Sequence, residues 1–253
     1  MRDLPSKRFY NGSVAIGQNA FIVAGFFNNT IDKYDKNTNT LQTVNTIHKT
    51  SNHFGICTIK SVILISGGYD GSNYLKTCFL YKPISNNFEP IAIMNVENRG
   101  HALVNMNNKF VFSIGGLNHQ DGYLNSIEKY DPDTNKWTIV DQKLNIARSF
   151  HQAVTYNHCI YIIGGETRGH NVVDSIEKIN TIEGTTSIIK TKLKMARKSF
   201  ALAKINEKAY IIGGSNVNFN ETDTVEIFDM ENETITDGIS IPFADYSFSA
   251  CVL

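Results

Sequence analysis

A glycine pair, once Ala-Gly, recurs five times along the chain, at 24–25, 67–68, 115–116, 164–165 and 213–214, each time closing a short apolar run. The spacings are 43, 48, 49 and 49 residues. Self-similarity at a period of about 50 residues marks a repeat architecture, in which each unit buries its faces by stacking on its neighbours. The repeats fall at approximately 4–46, 47–94, 95–143, 144–192 and 193–240, with a partial sixth at 241–253, so residues 1–253 read as one domain.

Inside a repeat the apolar runs are short and rich in Ile, Val, Tyr and Phe, and Asn, Gly and Asp punctuate them. The fourth repeat carries 153–156, a polar turn at Asn157-His158, then 160–163, the glycines, a loop, 175–179 and a last segment around Thr186. These read as four strands, a to d, with no sustained helical period. The b runs are almost continuously apolar (62–65, 160–163, 210–212), as expected of sheets covered on both faces. A four-stranded sheet gains such cover when sheets pack face to face around an axis. The fold class is therefore all-β, a propeller of five four-stranded blades plus one extra C-terminal strand.

Composition bounds the function. Twenty-four basic and 24 acidic residues cancel to a formal net charge of zero, without the basic footprint of a nucleic-acid binder. No apolar run approaches a membrane span, and Arg2, Asp3 and Pro5 open the chain where a secretory signal would be apolar. Cys57, Cys78, Cys159 and Cys251 are dispersed without a CxxC pair, which suits reduced thiols in a cytoplasmic protein. The sequence holds no H-E-x-x-H, paired metal motif or G-x-S-x-G, and the glycine pairs lack the Gly-Lys-Ser/Thr of a phosphate loop. No cofactor, metal or catalytic residue is expected, although His53, His101 and His151 could meet at the axis as a minority metal reading.

Counting from each glycine pair compares the repeats slot by slot. The position seventeen before the second glycine holds Arg8, Ser51, Arg99, Arg148 and Arg197. The position two before the strand c aromatic holds Asp32, Phe79, Glu128, Glu177 and Glu226. Arginine and acid are absent together, in the second repeat only, as expected of a buried pair whose loss of one member strands the other. The structural expectation is four ion pairs within repeats: Arg8–Asp32, Arg99–Glu128, Arg148–Glu177 and Arg197–Glu226. An alternative places these arginines at a ligand mouth. The aromatic of strand c (Tyr34, Tyr81, Tyr130, Phe228, or Ile179) stands seven residues before the strand d anchor Leu41, Phe88, Trp137, Ile235 or Thr186.

Antiparallel order puts the b–c loops and d–a connections on one face. The b–c loops vary most, and loops varying on a fixed frame are where recognition sits. Tyr69, Tyr74, His119, Tyr123, Arg168, His170 and Phe219 lie in them, and Tyr10, His53, His101, Phe150 and His151 follow the arginine slot toward the mouth. With Arg99, these form the expected partner-binding face.

Arg99, Gly115-Gly116, Glu128, Tyr130-Asp131 and Trp137 together resemble the kelch repeat, and the likeness extends over essentially the whole chain. Four repeats lack the Trp, and the first carries Ala24-Gly25. The resemblance is nearest to the C-terminal domain of BTB-kelch proteins. It implies a non-catalytic protein-binding propeller that recognises substrates for a cullin-3 ubiquitin ligase. Actin or cytoskeletal binding is a second implication, and a kelch-type sugar-processing enzyme is the alternative from another class. It also implies a six-bladed ancestor, with 243–253 restarting strand a and Asp245 standing in the arginine slot.

Overall fold

The structure, a computed structural model, describes residues 8–26, 28–47 and 52–253. Five antiparallel four-stranded sheets follow one another along the chain. Blade 1 comprises Gly12–Ile16, Asn19–Val23, Thr30–Asp35 and Thr40–Thr46. Blade 2 comprises Gly55–Ile59, Val62–Ser66, Cys78–Lys82 and Asn87–Ile91. Blade 3 runs through Ala102–Met106, Phe110–Ile114, Ile127–Asp131 and Lys136–Ile139. Blade 4 follows with Gln152–Tyr156, Cys159–Ile163, Ser175–Asn180 and Thr185–Lys192. Blade 5 closes the series with Ala201–Ile205, Lys208–Ile212, Val225–Asp229 and Thr234–Asp237. This is a five-bladed β-propeller.

The a strands of consecutive blades lie beside one another and line the axis. Four apolar clusters each straddle two consecutive blades, so the core is a set of interfaces rather than one centre. The seven-residue offset has a direct cause: Tyr34, Tyr81, Tyr130, Ile179 and Phe228 pair across strands with Leu41, Phe88, Trp137, Thr186 and Ile235. Three of the tyrosines also donate to an Asn five residues on, Asn39, Asn86 or Asn135, each at positive φ in the c–d turn. Trp137 reaches back between blades 2 and 3, where its indole donates to the Ala92 carbonyl at 3.0 Å.

The glycine pairs explain how blade joins blade. The N–H of the second glycine donates to the carbonyl of the residue entering the next blade: Gly68 to Asn98, Gly116 to Arg148, Gly165 to Arg197, at 2.8–2.9 Å. A ring from that next blade then sits on the first glycine. A Cβ on Gly164 (φ 59°) would lie 2.6 Å from the Arg197 carbonyl and 3.0 Å from the Phe200 ring. The corresponding ring is His101 over Gly67 and His151 over Gly115.

Residues 243–253 continue this pattern past blade 5. Gly214 donates to the Asp245 carbonyl at 2.8 Å, and the Phe248 ring packs on Gly213. The segment therefore takes the inner-strand place of a sixth blade, and among the described residues it joins no sheet. It bridges blades 5 and 1. Ser247 N–H donates to Ser199 O, Tyr10 N–H donates to Ser247 O, and Asn11 Nδ2 donates to Ser249 Oγ at 2.8 Å. Phe150 to Gly100, Ser199 to Phe150 and Gly100 to His53 continue this circuit of backbone hydrogen bonds around the axis.

Substitution at two positive-φ glycines separates backbone cost from steric cost. Gly17→Ala, with φ 59° and nothing within 4 Å of the new Cβ, should cost about 1 kcal/mol. Gly164→Ala adds the collision with the next blade and should cost at least about 2–3 kcal/mol, read from urea-unfolding midpoints.

Candidate functional site

Three of the four expected ion pairs form, each within one blade. Arg148 Nη2 lies 2.6 Å from Glu177 Oε1, Arg197 Nη2 lies 2.5 Å from Glu226 Oε1, and Arg8 pairs with Asp32, all side chains at most 2% exposed. Each of the first two guanidiniums also donates to the first-glycine carbonyl, Gly164 or Gly213, at 2.8 Å, and to the strand c entrance, Ser175 or Thr224. The glutamates accept the backbone N–H groups of the incoming connection, at Asn145-Ile146 and Lys194-Met195. In blades 4 and 5 the base of the b–c loop is thereby clipped to the segment entering its blade. Such a buried pair is tolerable because its remaining donors and acceptors are satisfied.

Arg99 is the correction. It does not pair with Glu128, and the slot is filled by Asn98, which is 4% exposed. Asn98 Nδ2 donates to the Gly115 carbonyl at 2.7 Å, as Arg148 does to Gly164, while Glu128 is satisfied by the Asn95 side chain and by the N–H groups of Asn95 and Val96. The a–b turn of blade 3 holds three residues, 107–109, between the paired Met106 and Phe110, whereas blade 4 holds two, 157–158, between Tyr156 and Cys159. Counting back from the glycines therefore lands one residue late in this repeat. Ser51, the second-repeat member of the slot, lies outside the described residues.

On the face carrying the b–c loops, two clusters emerge. Around Arg99, the guanidinium carbon stands 4.7 Å from the Tyr74 ring centroid, 5.3 Å from Tyr69 and 5.9 Å from Phe150. Tyr74 stacks on His119 at 3.9 Å, and Tyr10, His53 and Phe150 form a row with centroids 3.7 and 5.2 Å apart. Burial first, and the Arg99 charge second, hold His53 neutral, with its pKa down at about 3. The second cluster centres on Glu166. Its carboxylate accepts from Lys198, from the Tyr123 hydroxyl and from His170 Nδ1 (2.7 Å), tying the loops of blades 3 and 4 to the entrance of blade 5. Burial pushes the Glu166 carboxyl up, but these hydrogen bonds outweigh it and hold it below its ordinary value. Lys198 Nζ lies 4.2 Å over the exposed Phe219 ring, and Arg168 stands exposed in the same blade 4 loop.

His101 and His151 do not belong to the accessible face. They are 5% and 2% exposed and act as the wedges over Gly67 and Gly115, in the place that Phe200 and Phe248 take elsewhere. They line the floor of a central cavity of about 90 Å³ whose mouth carries Tyr10, His53 and Phe150. Glu166 and Lys198 escaped the sequence reading, although each directly follows a marked position, the second glycine and the slot arginine. Among the described residues, no group of three His, Cys, Asp or Glu side chains is placed to hold a metal ion. No helix among them is long and apolar enough to cross a membrane.

Residues 100–252 match the model of the KLHDC2/KLHL20/DRC7 Kelch-repeats domain, and 51–95 match the Kelch motif. The chain belongs to the kelch-repeat family. Human Kelch-like protein 23 is 34% identical over 107 residues, 41% of this chain, and its mouse counterpart is 33% identical over the same length. Alpha-scruin of Limulus polyphemus is 30% identical over 95 residues, 35% of this chain. These matches span 18% of the Kelch-like protein 23 sequences and 10% of alpha-scruin. The kelch fold and these relatives make the chain a protein-interaction module.

The two wedge histidines give this kelch propeller an acid-sensitive frame. Burial lowers both pKa values to about 3, with Arg148 and His101 adding to the effect on His151, whereas His101 faces the Ser66 hydroxyl at 2.9 Å. Both are neutral when folded, so the unfolded chain binds more protons below about pH 6.5. Their stabilising contribution is complete above that pH and falls by about 1.4 kcal/mol per histidine per pH unit on descent toward pH 3. His101→Phe and His151→Phe, matching the other blades, should flatten that acid limb in urea titrations between pH 7 and pH 5.

Proposed function

We propose that the face carrying the b–c loops is the docking surface for a protein partner, and that the repeats act together as the non-catalytic recognition domain of a cullin-3 ubiquitin ligase adaptor in the cytoplasm. The observation that carries the reading is a contrast between frame and loops. Buried ion pairs clamp the loop bases in blades 1, 4 and 5 and Asn98 does that work in blade 3, while the loops differ in chemistry and bring half-buried rings, Arg99 and the exposed Phe219 to one face. Tyr69, Tyr74, Phe150 and Arg99 form one anchor cluster, and Phe219 with Lys198 forms another. Aromatic and arginine anchors on a rigid frame are what concentrates binding energy at interfaces. Phe9 and Phe26, 45% and 42% exposed, add an apolar patch at blade 1.

The test is affinity purification with mass spectrometry from cells expressing the chain, beside two variants. Tyr69→Ala with Phe219→Ala alters the proposed face; Ile84→Ser with Ile182→Ser alters c–d turns on the opposite one. The first variant should lose the specific partners by about tenfold or more and the second should keep them. The reverse pattern places docking on the other face. Recovery of cullin-3 supports the adaptor reading, co-sedimentation with filamentous actin supports the cytoskeletal one, and turnover of a sugar overturns the non-catalytic one.

A further inference from the structure

Arg99 has left the buried slot that arginine fills in blades 1, 4 and 5, and the reason is the three-residue turn of blade 3. It stands instead at the mouth, bridged to Leu117, in the place that Phe9, Asn52, Ser149 and Lys198 hold on the other blades. Of these, Lys198 is neutralised by Glu166. Arg99 has no such partner. Among the described residues its guanidinium makes no ion pair and donates no hydrogen bond, and its Nε is buried without an acceptor.

Tyr74, Tyr69 and Phe150 surround the group and hold it in position. Cation–π contact satisfies the charge through ring faces and uses none of the N–H donors. What is left is a rigid, partly dehydrated donor fork whose geometry matches a carboxylate. Because the rings already fix the side chain, little conformational freedom remains to be lost on binding. The zero net charge argues against a polyanion such as nucleic acid, which needs many cations spread over a surface. A single caged arginine suits a single carboxylate.

We infer that Arg99 is the specificity anchor of the docking face and that the partner segment it accepts carries an Asp or Glu side chain whose carboxylate pairs with this guanidinium. The inference rests on the docking reading above and adds the chemistry of the partner to it. The carboxylate bonds to the guanidinium edge while the flanking segment covers Tyr69, Tyr74 and the His53–Phe150 row. Bringing an anion to Arg99 also removes the repulsion that helps keep His53 neutral.

The experiment is selection of a random peptide display library on the full chain, followed by calorimetry with the selected peptides and with counterparts in which Asp or Glu becomes Asn or Gln. Selected peptides should share an acidic residue. Arg99→Gln should weaken the acidic peptide roughly 30-fold or more, should leave the amide counterpart nearly unchanged, and should keep the thermal unfolding midpoint of the parent. Arg99→Lys, which keeps the charge without the planar fork, should fall between. A photoreactive form of each peptide reports where it docks. Peptides that crosslink to the b–c loops but share no acid, or bind the Arg99→Gln protein equally well, overturn the role of Arg99 and leave the docking face standing. Peptides that crosslink to the opposite face, or the failure of any to be selected, overturn both.

Discussion

The structure depends on one junction repeated around the axis: in blades 2 to 5 a glycine pair at the end of strand b receives the entry segment that follows. The second glycine gives its N–H to the carbonyl of the slot residue, and the first leaves room for a ring that a Cβ would displace. Because no sheet here can bury both faces alone, this contact decides how blade follows blade, and the apolar clusters between blades form behind it. The same junction positions the proposed docking face. It sets the a strands at the axis and gathers the b–c loops at one end, with a buried arginine beneath them in blades 1, 4 and 5.

Much of this was legible from spacing. The seven-residue offset between the strand c aromatic and the strand d anchor reappears as a cross-strand pair in all five blades, since register across a short turn is set by turn length. The paired loss of arginine and acid in the second repeat pointed to partners inside one blade, and Arg148–Glu177 and Arg197–Glu226 sit there. The C-terminal restart of the pattern was readable too, because Asp245 and Phe248 keep the positions of a slot residue and a wedge.

What spacing missed has a physical cause in each case. A count along the chain assumes constant turn length, and the third residue of the 107–109 turn breaks that assumption, so Arg99 was assigned the place of Asn98. His101 and His151 read as mouth residues because histidine is polar. Each directly follows a residue at positive φ, Gly100 (64°) or Phe150 (56°), and that bend turns the histidine ring from the mouth into the interior. Glu166 and Lys198 belong to different repeats, and a pair formed across blades leaves no trace in a comparison of slots within them.

The displaced arginine shows that such a frame can bring a cation to its mouth without altering its joints. In blade 3 the work of the slot is done by an amide: Asn98 bonds the first-glycine carbonyl, and Glu128 is satisfied by Asn95 and the backbone around it. No buried charge is stranded, so the interior tolerates the missing cation. A two-residue turn would slide strand a by one position and return Arg99 to the interior opposite Glu128, since a one-residue slip exchanges the two faces of a strand. The single extra residue lies at the a–b end of the blade, remote from the loops, yet it places Arg99 at the mouth and Asn98 in the buried slot. Turn length at one face thus sets side-chain chemistry at the other, and the rigid strand between them transmits the change.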